Sequence, residues 1–363
     1  MTAESLVPPP SAAASGRRLS LDILRVVSIV GVVAIHTFSL VVTNPENAGT
    51  WQRFAAIVLD LGFVWAVPVF VMLSGALVLR PSALADGVGA FYRKRALRLV
   101  PALIAWHLIY FLVVRLWLQS ERPSLREFAL LVIDGKVYTQ LYFFWIILGL
   151  YLVAPIIGSF VNRGSPRRPA VFAAISLAWC VLVFAIPSLT AAAGMPRPVA
   201  VTLLTFWVPY VGYFAAGYAL SLRRLPTWLV TVAGLFALGT ITYTVLQYAS
   251  PASFGVLNAV SPVSYYAPIV TVMSLAVFVC VIGTLDRVPF GAWARLAVIS
   301  LSNAAFGVFL VHLLVLAILR AVFPAFTSGA SLAQTAAVFV IVTVASFAIT
   351  IGALKVPLLR RIF

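Results

Sequence analysis

Long apolar runs separated by short polar joints dominate the chain. Runs of roughly 20 apolar residues, enough to cross a bilayer as a helix, recur about ten times. They cover residues 21–42, 54–79, 97–118, 138–161, 170–187, 199–222, 227–247, 265–285, 296–323 and 332–354. The pattern predicts an all-α, polytopic membrane protein of about ten transmembrane helices. Pro187 predicts an early end to the fifth run, and Pro68 a loosened helix in the second. In the most polar outer joint, residues 127–133 read as a short interfacial helix. Residues 248–263, uncharged and rich in Ser, Pro and Ala, read as a cap over the outer mouth.

The joints also carry an orientation. About seventeen Lys and Arg residues fall on one side of the predicted bilayer and about seven on the other, and the bias repeats at every alternate joint. Both termini are therefore expected in the cytosol. Residues 1–16, rich in Pro, Ala and Ser, read as a disordered cytosolic tail, and residues 17–363 as a single transmembrane domain. No apolar core precedes the Arg17-Arg18 pair, which argues against a cleaved signal.

Composition narrows the class. Of 363 residues, 63% are hydrophobic and 9% charged, against about 25% charged in ordinary soluble domains. The formal net charge of +16 fits the cytosolic bias and attraction to anionic headgroups or phosphorylated ligands better than nucleic acid. Cys180 and Cys280 both lie in apolar runs and read as small core residues. No metal-ligand spacing is present.

Against this apolar background the first run stands out, because it contains Asp22, Arg25 and His36. A charged residue at bilayer depth costs roughly 2.5–3.5 kcal/mol on insertion scales and faces a protein interior or a wet cavity. At about 100° per residue, the eleven-residue step from Arg25 to His36 returns to within roughly 20° of one face, about 16 Å along the axis. Asp22 neighbours Arg25 on that face. Imidazole titrates near neutrality and suits a general base, and a covalent acyl-imidazole is a chemical alternative. A basic cluster, Arg93, Lys94, Arg95 and Arg98, opens the third run at its cytosolic edge, where it serves topology and headgroup anchoring or phosphate recognition. All three histidines, His36, His107 and His312, fall inside the predicted spans. Asp60 and Arg115 lie near the outer face, free to pair, to snorkel or to touch an acceptor.

The ordered set of motifs resembles the acyltransferase-3 family of integral-membrane O-acyltransferases. The resemblance rests first on Arg25, ten residues and His36, with Asp22 three residues before the Arg. It extends through Pro68, Val69, Phe70, Ser74, Gly75 and Arg80, then Phe91, Lys94, Arg95, Arg98 and Pro101. Looser matches are Gly149-Leu150-Tyr151 with Pro155, Tyr213-Phe214 with Gly217-Tyr218, and Ser302, Phe306-Gly307, Phe309-Leu310 and His312. Departures are Gln140 and Tyr142 where the family often has His and Trp, and Phe306 and Phe309 in place of frequent tyrosines.

The resemblance implies an enzyme of the cytoplasmic (inner) membrane. It would move an acyl group, most often acetyl, from acetyl-CoA or another acyl-CoA to a hydroxyl of a glycan or lipid-linked sugar, without a metal. Its implied roles are His36 as general base, Arg25 with Asp22 as donor-anchoring pair, and His312 as a further catalytic candidate. Arg80, Arg93, Lys94, Arg95 and Arg98 would hold the CoA phosphates. Ser74, Arg115 and Asp60 are substrate-binding candidates. The expected partners are the donor, the acceptor and membrane lipids, not nucleic acid. Two other classes fit the spans: a secondary transporter with an intramembrane histidine proton relay, and a lipid-binding membrane partner without catalysis. The two halves of the chain lack the repeat symmetry expected of a transporter.

Overall fold

A computed structural model describes residues 17–363; the expected tail, residues 1–16, lies outside the described residues. Among the described residues every regular element is helical. Its helices are α1 (Leu19–Thr43), α2 (Trp51–Leu61), α3 (Ala66–Val78), α4 (Val88–Ile109), α5 (Leu125–Ile133), α6 (Tyr142–Val161), α7 (Arg168–Ala192), α8 (Val211–Ser221), α9 (Thr227–Ala249), α10 (Gly255–Val260), α11 (Pro268–Leu285), α12 (Ala292–Val322) and α13 (Leu332–Ala353). Among the described residues, nine helical stretches are long and apolar enough to cross a membrane, with α2 and α3 counted as one stretch and α4 together with its continuation to Leu118 as another. The protein is thus a multi-pass membrane protein.

Helix α1 sits at the centre and packs against α2, α3, α11, α12 and α13. That position explains why an apolar helix tolerates charges: its polar face meets protein rather than lipid. Around it, α3 packs on α8, α8 on α7, and α9 on α11. The short α5 is fixed by a capping box in which the Ser124 hydroxyl accepts from the Glu127 N–H and the Glu127 carboxylate accepts from the Ser124 N–H. It contains the helix expected at residues 127–133.

Three expectations need correction. The sixth run, 199–222, is not one spanning helix: only Val211–Ser221 is α-helical, after a turn and a short 3-10 segment, Val208–Tyr210. The Leu203 N–H donates to the Ile133 carbonyl at the end of α5, whereas the Ser221 carbonyl accepts from Arg18 at the start of α1. The segment therefore still travels the depth of the bundle, part of it as irregular backbone. Pro209 removes a helical donor, and the enclosing protein buries Pro209 and Tyr210, the condition under which non-helical backbone is tolerated at membrane depth.

The second run breaks at residues 62–65 rather than at Pro68. The N–H groups of Phe63 and Val64 reach back only three residues, and the Trp65 indole donates to the Gly62 carbonyl at 2.7 Å. Pro68 falls in the first turn of α3, where no helical donor is lost. The fifth run does not stop at Pro187, because α7 continues to Ala192.

The α3–α8 contact depends on glycine. A Cβ on Gly75 would run into the Phe214 carbonyl oxygen, and one on Gly217 into the Met72 carbonyl oxygen. Backbone cannot yield as a flexible side chain does. Gly217→Ala should therefore lose about 1–3 kcal/mol, read as a lowered midpoint in detergent melts. Gly239→Ala, with nothing near the added carbon, should hold or raise the midpoint; equal behaviour of the two variants would contradict this packing.

Candidate active site

The site begins where α1 enters the bundle. Asp22 is buried, its side chain 5% exposed, and it organises three neighbours. Arg17 grips it bidentately, Nε to Oδ2 and Nη2 to Oδ1, both at 2.7 Å. The Ser302 hydroxyl on α12 donates to Oδ1 at 2.6 Å. Arg25 stands one helical turn on, its Nη1 3.5 Å from Oδ1 and donating to the Ser302 oxygen at 3.0 Å. Arg17 also donates to the Asn303 side-chain oxygen at 3.0 Å. Hydrogen bonding to Asp22 lifts the Arg17 guanidinium above its ordinary value, against the opposing effect of burial.

Beside this knot, Arg18 and Ser20 bind Asp286, which follows α11. Burial of the Asp286 carboxyl opposes its ionisation, but the bonds to Arg18 and Ser20 and the charges of Arg18 and Arg224 outweigh it, holding the carboxyl below its usual range. The start of α1 is thereby tied to both α11 and α12.

A cavity of about 730 Å³ opens at this end of the bundle. Arg17, Arg18, Arg80, Arg95, Arg98 and Arg360 line it together with Asp22 and Arg25. Arg98 and Arg360 are exposed at its mouth. Arg95 lies between two rings, 5.4 Å from the Phe91 centroid and 5.2 Å from that of Tyr151, and its buried Nε has no hydrogen-bond partner. Arg98 lies 5.9 Å from the Phe306 centroid. Further in, the Ser74 and Tyr151 hydroxyls meet at 3.2 Å. Beyond them the lining turns apolar: Phe70, Leu73, Phe143, Ile147 and Phe309.

The histidine pair lies past that apolar end. The rings of His36 and His312 are 5.5 Å apart, centroid to centroid, and Phe309, which lines the cavity, stands 6.1 Å from His312. The His312 Nδ1 lies 3.1 Å from the Val308 carbonyl oxygen, so it carries the proton of a neutral ring there. Its Nε2 is buried without a partner. His36 is half-buried and His312 buried. Neither is among the residues lining the cavity: Asp22 and Arg25 reach it directly, the histidines only across Phe309.

Other expected site residues scatter. Arg93 and Lys94 are exposed and do not line the cavity. Arg115 ties down the segment around α5, donating to the Val137 and Lys136 carbonyls and to Glu121. Asp60 is buried on α2, apart from the cavity lining. His107 lies apart from the cavity lining: its Nδ1 is 2.8 Å from the Leu103 carbonyl oxygen, its ring meets Phe144 and Trp145, and its Nε2 is buried without a partner. Among the described residues, no three His, Cys, Asp or Glu side chains gather as a metal site. Arg17, Asn303 and Arg360 join the site without having been singled out as functional.

The fold and this cavity define a class: a multi-pass helical membrane protein with a cationic pocket leading towards an imidazole pair inside the bundle. The family model described as Acyltransferase domain, that of the acyltransferase-3 family, matches residues 18–354. The chain belongs to that family. Comparisons with curated proteins and with solved structures returned no match.

Proposed function

We propose that the protein transfers an acyl group from acyl-CoA, entering from the cytosolic side, to a hydroxyl of a glycan or lipid-linked sugar arriving from the outer side. The observation that carries this reading is the division of the cavity, with guanidinium groups at the mouth and an apolar end one helical turn short of two imidazoles. Anionic phosphates suit the mouth, because Arg forks bind them bidentately. The path from Arg25 to His36, about 16 Å along α1, suits an extended pantetheine arm.

In the chemical step the acceptor oxygen attacks the thioester carbonyl carbon. Its proton passes to the His36 imidazole as the C–O bond forms, and the C–S bond breaks as CoA thiolate leaves. That thiolate then takes up a proton, so the products are an ester and CoA thiol. His312, whose unpartnered Nε2 lies beside His36, supports the pair by accepting a hydrogen bond and so orienting the base. Arg25, held by Asp22 and Ser302, anchors the donor nearer the mouth. The cytoplasmic membrane is the proposed location, with both described ends at the basic, cytosolic face.

The exposed and cavity-facing parts of the basic cluster separate this reading from simple headgroup anchoring. Arg95→Ala and Arg98→Ala should each weaken CoA binding about tenfold, the loss of one charge-assisted contact. Arg93→Ala should leave it unchanged. Titration of the purified protein in lipid nanodiscs with CoA reads the difference; uniform behaviour of all three variants would place the donor elsewhere.

A further inference from the structure

Three phenylalanines close the inner end of the cavity, and the catalytic roles above use none of them. They form a continuous stack from one wall to the histidines. Phe70 meets Phe143 edge-on with centroids 6.3 Å apart, Phe143 meets Phe309 at 5.1 Å, and Phe309 meets His312 at 6.1 Å. Each comes from a different helix: α3, α6 and α12. All three line the cavity. Phe143 and Phe309 are buried, whereas Phe70 keeps some exposure into the space.

Helical rise sets their depth. From Ser302 to Phe309 along α12 is about 10 Å, and from Tyr151 to Phe143 along α6 about 12 Å. The Ser74–Tyr151 hydroxyl pair is therefore a polar ring above an apolar floor. His312 lies three residues beyond Phe309 on the same face of α12, about 4.5 Å further in. A thioester brought within reach of His36 and His312 must set its acyl group against these rings.

We infer that Phe70, Phe143 and Phe309 form the acyl subsite of the donor and restrict it to short acyl groups. The inference rests on the donor reading above. Packed aromatic rings resist added methylenes, because an overfilled apolar site forces side chains off their rotamers. Phe70 is the least buried of the three, so its truncation enlarges the site with the smallest penalty to folding.

Competition of acetyl-, butyryl- and hexanoyl-CoA against labelled CoA, on the full chain in lipid nanodiscs, reads the subsite without needing the acceptor. In the unaltered protein, affinity should fall about tenfold from acetyl- to hexanoyl-CoA. Phe70→Ala should remove that loss, and Phe143→Leu, which keeps an apolar side chain, should reduce it. Hexanoyl-CoA binding the unaltered protein as tightly as acetyl-CoA would overturn the subsite, as would an unchanged ratio in both variants. Failure of CoA itself to bind would overturn the donor reading instead, and the two failures are told apart by the labelled probe.

Discussion

His36→Ala should lower acyl transfer by about 10²–10⁴-fold, the usual contribution of a positioned general base, while leaving the protein folded. The variant is well posed because the ring belongs to no ion pair. Its neighbour is another imidazole, 5.5 Å away between centroids, and the half-buried position adjoins some open space. Truncation therefore enlarges a cavity without stranding a charge. CoA binding should persist, since the cation-lined mouth lies more than two helical turns away along α1. Transfer from acetyl-CoA, followed as release of free thiol together with acceptor modification, checks the first statement, and CoA titration the second. Wild-type turnover in this variant would remove the base assignment, and loss of CoA binding alongside turnover would point to a structural role.

The largest effect on stability is expected at Asp22. Asp22→Ala leaves Arg17, Arg25 and the Ser302 hydroxyl facing a site without their shared acceptor. Removing one partner from a buried charge network costs about 3–5 kcal/mol, and the partial exposure of both arginines places the expected loss towards the lower figure. Asp22→Asn keeps an acceptor for Ser302 and should lose less. Both variants should also weaken CoA binding, because Arg25 is no longer held towards the cavity. Thermal unfolding in detergent and CoA titration read the two consequences. A melt of Asp22→Ala superimposable on the wild type would mean that the network holds nothing in place.

Much of this was legible in the chain. Arg25 and His36 are about three helical turns apart and Asp22 is an i,i+3 neighbour of Arg25, so their common face followed from spacing alone, and the structure turns that face into the bundle. The basic cluster was read less well. Phe91, Arg95 and Arg98 lie four and three residues apart, which places them on one side of α4; Phe91 is buried and the two arginines line the cavity. Arg93 falls on the opposite side of the helix, so periodicity separates it from the pocket, whereas Lys94 keeps the three- and four-residue spacing to Phe91 and Arg98 and still does not line the cavity.

What the sequence withheld is long-range. The Ser302 hydroxyl reaches Asp22 across 280 positions, and Arg17 reaches Asn303 across 286. Arg17 reads locally as a topology determinant, and only the docking of α12 on α1 makes it a ligand of Asp22. The sixth run misled for another reason. Hydropathy measures how apolar a segment is, and the turns before α8 are as apolar as a helix. Family membership, with a cation-lined cavity directed at the histidine pair, supports the enzyme reading over a transporter or a non-catalytic lipid-binding protein.

The central claim is that donor and base meet inside the bundle, with CoA phosphates at the arginine mouth and the thioester beside His36 and His312. An experimental structure of the protein with acetyl-CoA, in lipid nanodiscs, tests it most directly. The account predicts phosphate density against Arg95 and Arg98, the pantetheine arm running past Ser74 and Tyr151, and the thioester carbonyl among Phe309, His312 and His36. Density for the donor outside this cavity, or a thioester left at the mouth with Phe309 closed over the histidines, would contradict it.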